Sequence, residues 1–279
     1  MSSVWSKSEP WRYTPIGAAY SGNRASVPQG GHTGRRYRAA VPGSGRVLDG
    51  SAGDAVNVGT GRTYHRCREG EMTGHTPGAT WREAPRRPPG LGPRTWAGVP
   101  RRSRQVLVVT GRDRDAPDST AVLYERTGPG WRAGTSRPAH NALRGWTDHH
   151  REGDLRSPIG VYALTDAGGR LPDPGTRLPY HRSAGFVASG TGFGGEPLAG
   201  SFDHVIAIDY NREPGTSPLD RTRPLGPERG GGIWLHIDHG GPTRGCVSLG
   251  AGPMKELLRA LDPGLGPVVV MGDAASLAR

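Results

Sequence analysis

His236 and Cys246, ten positions apart, lie in the densest chemical stretch of the chain, Gly231–Gly250, which reads GGIWLHIDHGGPTRGCVSLG. A thiol becomes an effective nucleophile near neutral pH only beside a base or a positive charge. His236 supplies the base, and Arg244 places a guanidinium two positions before the sulfur. Gly245 leaves the backbone open to an approaching carbonyl, so the N–H groups of Gly245 and Cys246 are the expected oxyanion donors. Arg244 also suits a substrate carboxylate, and His239 stands beside the pair. Two other readings stay open. A cysteine after a glycine often serves as a small buried hydrophobe. His236, His239, Cys246 and Asp238 also contain enough ligand types for a metal, but no CxxC or HExxH pattern supports one, and no metal or cofactor is expected.

These residues need elements to hold them. Ile233–Ile237 reads as a strand delivering His236, the Gly-Gly-Pro turn follows, and Cys246-Val247-Ser248 reads as the return strand. Gln105–Gly111 and Ala121–Arg126 read as a β-hairpin. Gly160–Leu164, His204–Tyr210 and Pro267–Met271 read as further strands, with His204–Tyr210 buried on both faces. One helix is predicted. Pro253 starts it, Met254, Leu257, Leu258 and Leu261 form its apolar stripe, and Asp262-Pro263-Gly264 ends it. Short strands with one C-terminal helix predict a mainly-β fold of sandwich or barrel type.

The first hundred residues differ. They hold 14 Lys and Arg against 6 Asp and Glu, so most of the +11 net charge lies there, whereas residues 101–279 hold 22 against 19. Gly, Pro, Ser and Arg recur without helical or strand period, which predicts an irregular, disordered region over residues 1–100. Such an arm can bind an anionic cell-envelope polymer or nucleic acid, or simply be solvated; no specific nucleic acid is expected. Cys67 lies in this arm and reads as incidental, and two cysteines are too few for a disulfide framework. No apolar run is long enough to cross a membrane, and Met1–Gly30 shows no signal-peptide core.

The Thr243-Arg244-Gly245-Cys246-Val247-Ser248 block, with Leu235-His236 upstream, resembles the L,D-transpeptidase (YkuD-like) catalytic domain. Ser157-Pro158-Ile159-Gly160-Val161-Tyr162 resembles a segment that precedes the site in that family. Asp148–Asp154 and Ile208-Asp209-Tyr210-Asn211 resemble further segments, so the resemblance spans residues 101–275. It implies a catalytic domain of that fold, with Cys246 as nucleophile and His236 as general base and acid. Arg244, Thr243, Ser248, His239 and Tyr210 become the implied substrate contacts. The implied reaction is acyl transfer on peptidoglycan stem peptides, 3-3 cross-linking or amino-acid exchange, outside the cytoplasmic membrane and without a cofactor. An L,D-carboxypeptidase-type hydrolase and a non-catalytic wall-binding module are the alternatives. Two departures stand out: Arg244 replaces a histidine that many members carry, and the loop from His236 to Cys246 is shorter.

The remaining expectations are local. Ser157–Gly160 either shapes a groove or turns into a strand, and His149 and His150, in a charged loop, are expected at the surface.

Overall fold

The computed structural model describes residues 85–279, and the expectations for residues 1–84, Cys67 among them, lie outside it. The described chain is built on one mixed sheet. Its strands are β1 (Gln105–Gly111), β2 (Asp118–Thr127), β3 (Gly130–Ala133), β4 (Arg137–His140), β7 (Gly160–Ala163), β8 (Ala167–Gly169), β9 (Tyr180–Arg182), β10 (Val205–Ala207), β11 (Trp234–Ile237), β12 (Val247–Leu249) and β13 (Val268–Asp273). The order across the sheet is β7-β13-β1-β2-β4-β12-β11-β10-β8-β9, with β3 paired to β2. A separate short pair joins β5 (Trp146–Thr147) to β6 (Ser157–Pro158). The mainly-β expectation therefore holds, as one continuous sheet among the described residues and not a sandwich of two. The predicted hairpin is the antiparallel pair β1–β2.

The middle of the sheet is covered on both faces, which accounts for its unbroken apolar runs. In β1, Leu107 and Val109 enter one core with Leu235, Val247, Leu249 and Met271. Val106 and Val108 enter a second, with Val268, Val270, Trp131 and Leu277. In β10, Ile206 joins the first core, whereas Val205 and Ala207 join a third with Phe186 and Trp234. His204–Tyr210 is thus buried from both sides, as its sequence predicts, although the paired strand spans only Val205–Ala207.

The predicted helix is α2 (Ala251–Ala260), and Met254, Leu257 and Leu258 face the first core. It starts two residues before Pro253, which sits within its first turn. Its end is held by the buried Gln105, whose amide donates to Ala260 O at 2.8 Å and accepts from Asp262 N at 2.9 Å. Two short helices add to it, α1 (Pro93–Ala97) and α3 (Ala274–Leu277). The expected boundary near Arg101 moves toward the N-terminus. Gly92 N–H donates to Leu277 O, Trp96 meets Trp131 edge-on at 5.5 Å, and Leu91 and Val99 are buried in the second core. Apolar burial orders this stretch despite its Pro- and Arg-rich composition.

Candidate active site

The strand carrying His236 and the strand following Cys246 are parallel neighbours, not the hairpin that their spacing suggests. The connecting residues 238–246 run back along the sheet. Thr243 N–H donates to Asn141 O, Leu143 N–H donates to Thr243 O, and Asp238 N–H donates to Leu249 O. Docking on the extension of β4 replaces the turn that an antiparallel return would need.

Parallel pairing decides which side chains meet. Leu235 is in register with Val247 and His236 with Ser248. Side chains alternate along a strand, so Leu235 and Val247 enter the first core, and Trp234, His236, Cys246 and Ser248 share the opposite face. Cys246 stands one pleat behind Ser248, diagonal to His236. Its thiol donates to Gly232 O at 3.6 Å and accepts from Trp234 N–H at 3.4 Å. No hydrogen bond joins it to His236 among the described residues.

His236 is 3% exposed. Its Nδ1 lies 2.9 Å from Ile237 O, and a carbonyl can only accept, so Nδ1 carries the proton and Nε2 the lone pair. The orienting group is therefore a backbone carbonyl and not Asp238. Phe202 packs edge-on at 5.3 Å and His239 stacks at 5.9 Å, enclosing the ring. Burial pushes the imidazole down to about 4 and the Cys246 thiol up to about 11, the latter opposed in part by the Trp234 N–H. Both groups are neutral at rest.

The other predicted site residues divide into two sets. His239 and Arg244 stay at the site. His239 Nδ1 pairs with Glu196 at 3.2 Å, and the Arg244 guanidinium lies over Phe193 at 5.3 Å from the ring centre. Both partners belong to a Gly-rich flap, residues 187–200, closed on itself by Gly192 N–H to Glu196 O and Leu198 N–H to Gly190 O. The Glu196 carboxyl is held below the usual range by backbone N–H groups, Gly194 among them, and by His239.

Thr243, Ser248 and Tyr210 are instead parts of the scaffold, contrary to the substrate contacts expected of them. Thr243 is 3% exposed, and its hydroxyl donates to Cys246 O at 2.6 Å and accepts from Gly245 N–H at 3.3 Å. That bond engages Gly245 N–H, one of the two donors expected of an oxyanion hole, and leaves the Cys246 N–H as the other. Ser248 is fully buried and donates to Asp238 Oδ1 at 2.8 Å. Tyr210 is 5% exposed, with its hydroxyl donating to Arg229 O at 2.8 Å and its ring edge-on to Tyr162 and His150.

His150 also departs from expectation. It is buried behind Gly245, pairs with Asp154 at 3.0 Å, and burial lowers its imidazole. His149 is exposed, as expected. Ser157 is fully buried. Its hydroxyl accepts from Ala142 N–H at 3.1 Å and donates to Cys246 O at 3.4 Å, so the Ser157-Pro158 block supports the Cys246 backbone from behind.

The four residues weighed as metal ligands do not converge. His236 and His239 stack face to face, and Asp238 accepts from His140 Nδ1 and Ser248, each at 2.8 Å. His140, 96 positions before His236, is a residue that sequence spacing had no means of placing here.

No family model and no curated protein matches this chain. Solved structures similar to it include the following two. Bd1075 of Bdellovibrio bacteriovorus is 19% identical with a TM-score of 0.34, over 63% of this chain and 52% of that one. The helical cell shape determining protein Pgp2 of Campylobacter jejuni is 16% identical with a TM-score of 0.34, over 62% of this chain and 52% of that one. The chain spans about half the length of these structures.

Proposed function

We propose that this chain is a cysteine acyltransferase of the L,D-transpeptidase type, acting on peptidoglycan stem peptides outside the cytoplasmic membrane. The observation that supports it is the parallel register, which sets Cys246 and His236 on one sheet face with the His236 lone pair at Nε2. The motif resemblance supplies the substrate class.

In this reading the Cys246 proton passes to His236 Nε2 as the sulfur attacks the carbonyl next to the diamino acid. The Cys246 N–H meets the developing oxyanion. The His236 imidazolium returns the proton to the departing D-amino acid, leaving a thioester. An amine from a second stem, or water, then attacks the thioester and restores the thiol. Arg244, exposed two positions before Cys246, takes a substrate carboxylate in this reading. The basic residues of the first hundred positions give the chain a means of holding an anionic envelope polymer.

One observation favours a second reading, a non-catalytic wall-binding module. The half-buried thiol is pushed up to about 11 and already engaged by Gly232 O and Trp234 N–H, as in an unreactive cysteine. Incubation of the full chain with purified tetrapeptide muropeptides, with and without an added D-amino acid, separates the readings by product mass. Cross-linked dimers or exchanged stems support the transferase, tripeptide alone indicates a hydrolase on the same site, and unchanged substrate leaves the module.

A further inference from the structure

One row of residues crosses the sheet in register beside the nucleophile. Val205 on β10 pairs with His236 on β11, His236 with Ser248 on β12, Ser248 with His140 on β4, and His140 with Asp118 on β2. Residues in register share a face, so His236 and His140 flank Ser248 from its two neighbouring strands. Cys246 sits one pleat behind Ser248. It is therefore diagonal to both histidines, each on the order of 7–8 Å away between backbones. His140 stands to Cys246 on one side as His236 does on the other.

The two histidines are equipped differently. His236 is buried, with Nδ1 tied to a carbonyl. The His140 side chain is 29% exposed, and its Nδ1 lies 2.8 Å from Asp238 Oδ1. A carboxylate accepts, so Nδ1–H is fixed and Nε2 carries the lone pair, with a negative charge opposite the one that forms when Nε2 takes a proton. The buried Ser248 hydroxyl donates to the same Oδ1, and Asp238 N–H is held by Leu249 O at 2.7 Å, so the carboxylate cannot swing away. On the other side of His140, Asp118 faces it from β2 and pairs with Arg112 at 3.5 Å.

We infer that His140, held by Asp238, is a second proton carrier of this site, acting on the group that attacks the acyl-enzyme. The inference rests on the acyl-transfer reading above. The incoming amine or water loses its proton to His140 Nε2 as its N–C or O–C bond forms. The C–S bond breaks, and the departing Cys246 thiolate recovers one proton from the imidazolium or from solvent. His236 serves the first half of the reaction and His140 the second.

p-Nitrophenyl acetate separates the halves on the full chain. The burst of p-nitrophenolate reports acylation of Cys246, and the steady rate, with glycinamide as acceptor, reports release. The expected result for His140→Gln is an unchanged burst, an acetyl-enzyme that persists in the intact mass, and a steady rate lowered at least tenfold. The rising limb of the pH–rate profile should be lost, and added imidazole should restore rate to His140→Gly. Asp238→Asn, which keeps an acceptor at Nδ1, should lower the same rate and spare the burst. A steady rate within twofold of the parent in His140→Gln overturns the inference. Loss of burst and steady rate together also overturns it, because His140 would then only brace the fold. A parent protein with no Cys246-dependent burst removes the acyl-transfer reading itself.

Discussion

The Cys246 centre and the Arg212 centre lie in the same domain, the first half-buried at the thiol with His236 buried beside it and the second buried, but only one of them holds its charge. Around Arg212, 8% exposed, burial comes with pairing. The guanidinium meets Asp166 at 3.1 Å and also binds Asp209, while Thr165 and Gly215 N–H add hydrogen bonds. Asp166 stays below the usual carboxyl range because these bonds outweigh its burial, whereas burial prevails at Asp209 and pushes it up. Around Cys246, burial prevails: the thiol is pushed up, the imidazole is pushed down despite the Asp238 carboxylate, and both rest neutral. The first arrangement fixes the chain near residues 209–216. The second leaves both groups uncharged at rest, and in the proposed reaction a substrate oxyanion would share the charge that forms.

The contrast breaks most severely at its charged end. Arg212→Met leaves two carboxylates buried without a cation, and urea unfolding should show a loss of about 3–5 kcal/mol. Asp209→Asn, which keeps the shape and one carboxylate, should cost much less.

At the neutral end the effect appears with pH. The unfolded His236 takes a proton near its ordinary 6.5, the folded one only near 4. Between those values the unfolded state binds more protons, so stability should fall as pH drops from about 6.5 to about 4, by up to about 3 kcal/mol. Cys246 acts in the other direction. Its folded thiol stays protonated to about 11 against an ordinary 9, so stability should fall as pH rises between them. Thermal melts across both windows, parent against His236→Gln and Cys246→Ala, assign each loss. An acid limb unchanged in His236→Gln would contradict the first assignment.

Smaller still is the cost of loosening the nucleophile's turn. Thr243→Val removes the hydroxyl that bridges Cys246 O and Gly245 N–H, with an expected loss of about 1–2 kcal/mol. Its alkylation rate by iodoacetamide should rise as the Cys246 backbone loosens. Least of all, Glu196→Gln should leave the unfolding midpoint essentially unchanged, since it removes one pair at the flap. Its effect should show as faster amide exchange in residues 187–200.

Local pattern carried much of this site. The Cys246–His236 pair, most strands and the α2 stripe are legible because they are encoded within a few residues of one another. The long-range partners are not. A loop of nine residues between β11 and β12 reads as a hairpin, and only docking on Asn141–Leu143, a hundred positions earlier, makes the strands parallel. His140 reaches Asp238 for the same reason, through β4–β12 pairing that no spacing rule reveals. His150 sits in a polar stretch and becomes buried through tertiary packing, its ring edge-on to Tyr210. Thr243 and Ser248 are polar residues beside Cys246, which suggests substrate contact, yet the Thr243 hydroxyl is consumed by Cys246 O and Gly245 N–H and that of Ser248 by Asp238.

Intact-mass spectrometry of the full chain after incubation with a carbapenem, parent beside Cys246→Ala and His236→Gln, tests the central claim most directly. A single adduct on the parent, absent from Cys246→Ala and strongly slowed in His236→Gln, is the predicted result. No adduct on folded parent protein, or an adduct that survives Cys246→Ala, would contradict the assignment of Cys246 as the nucleophile.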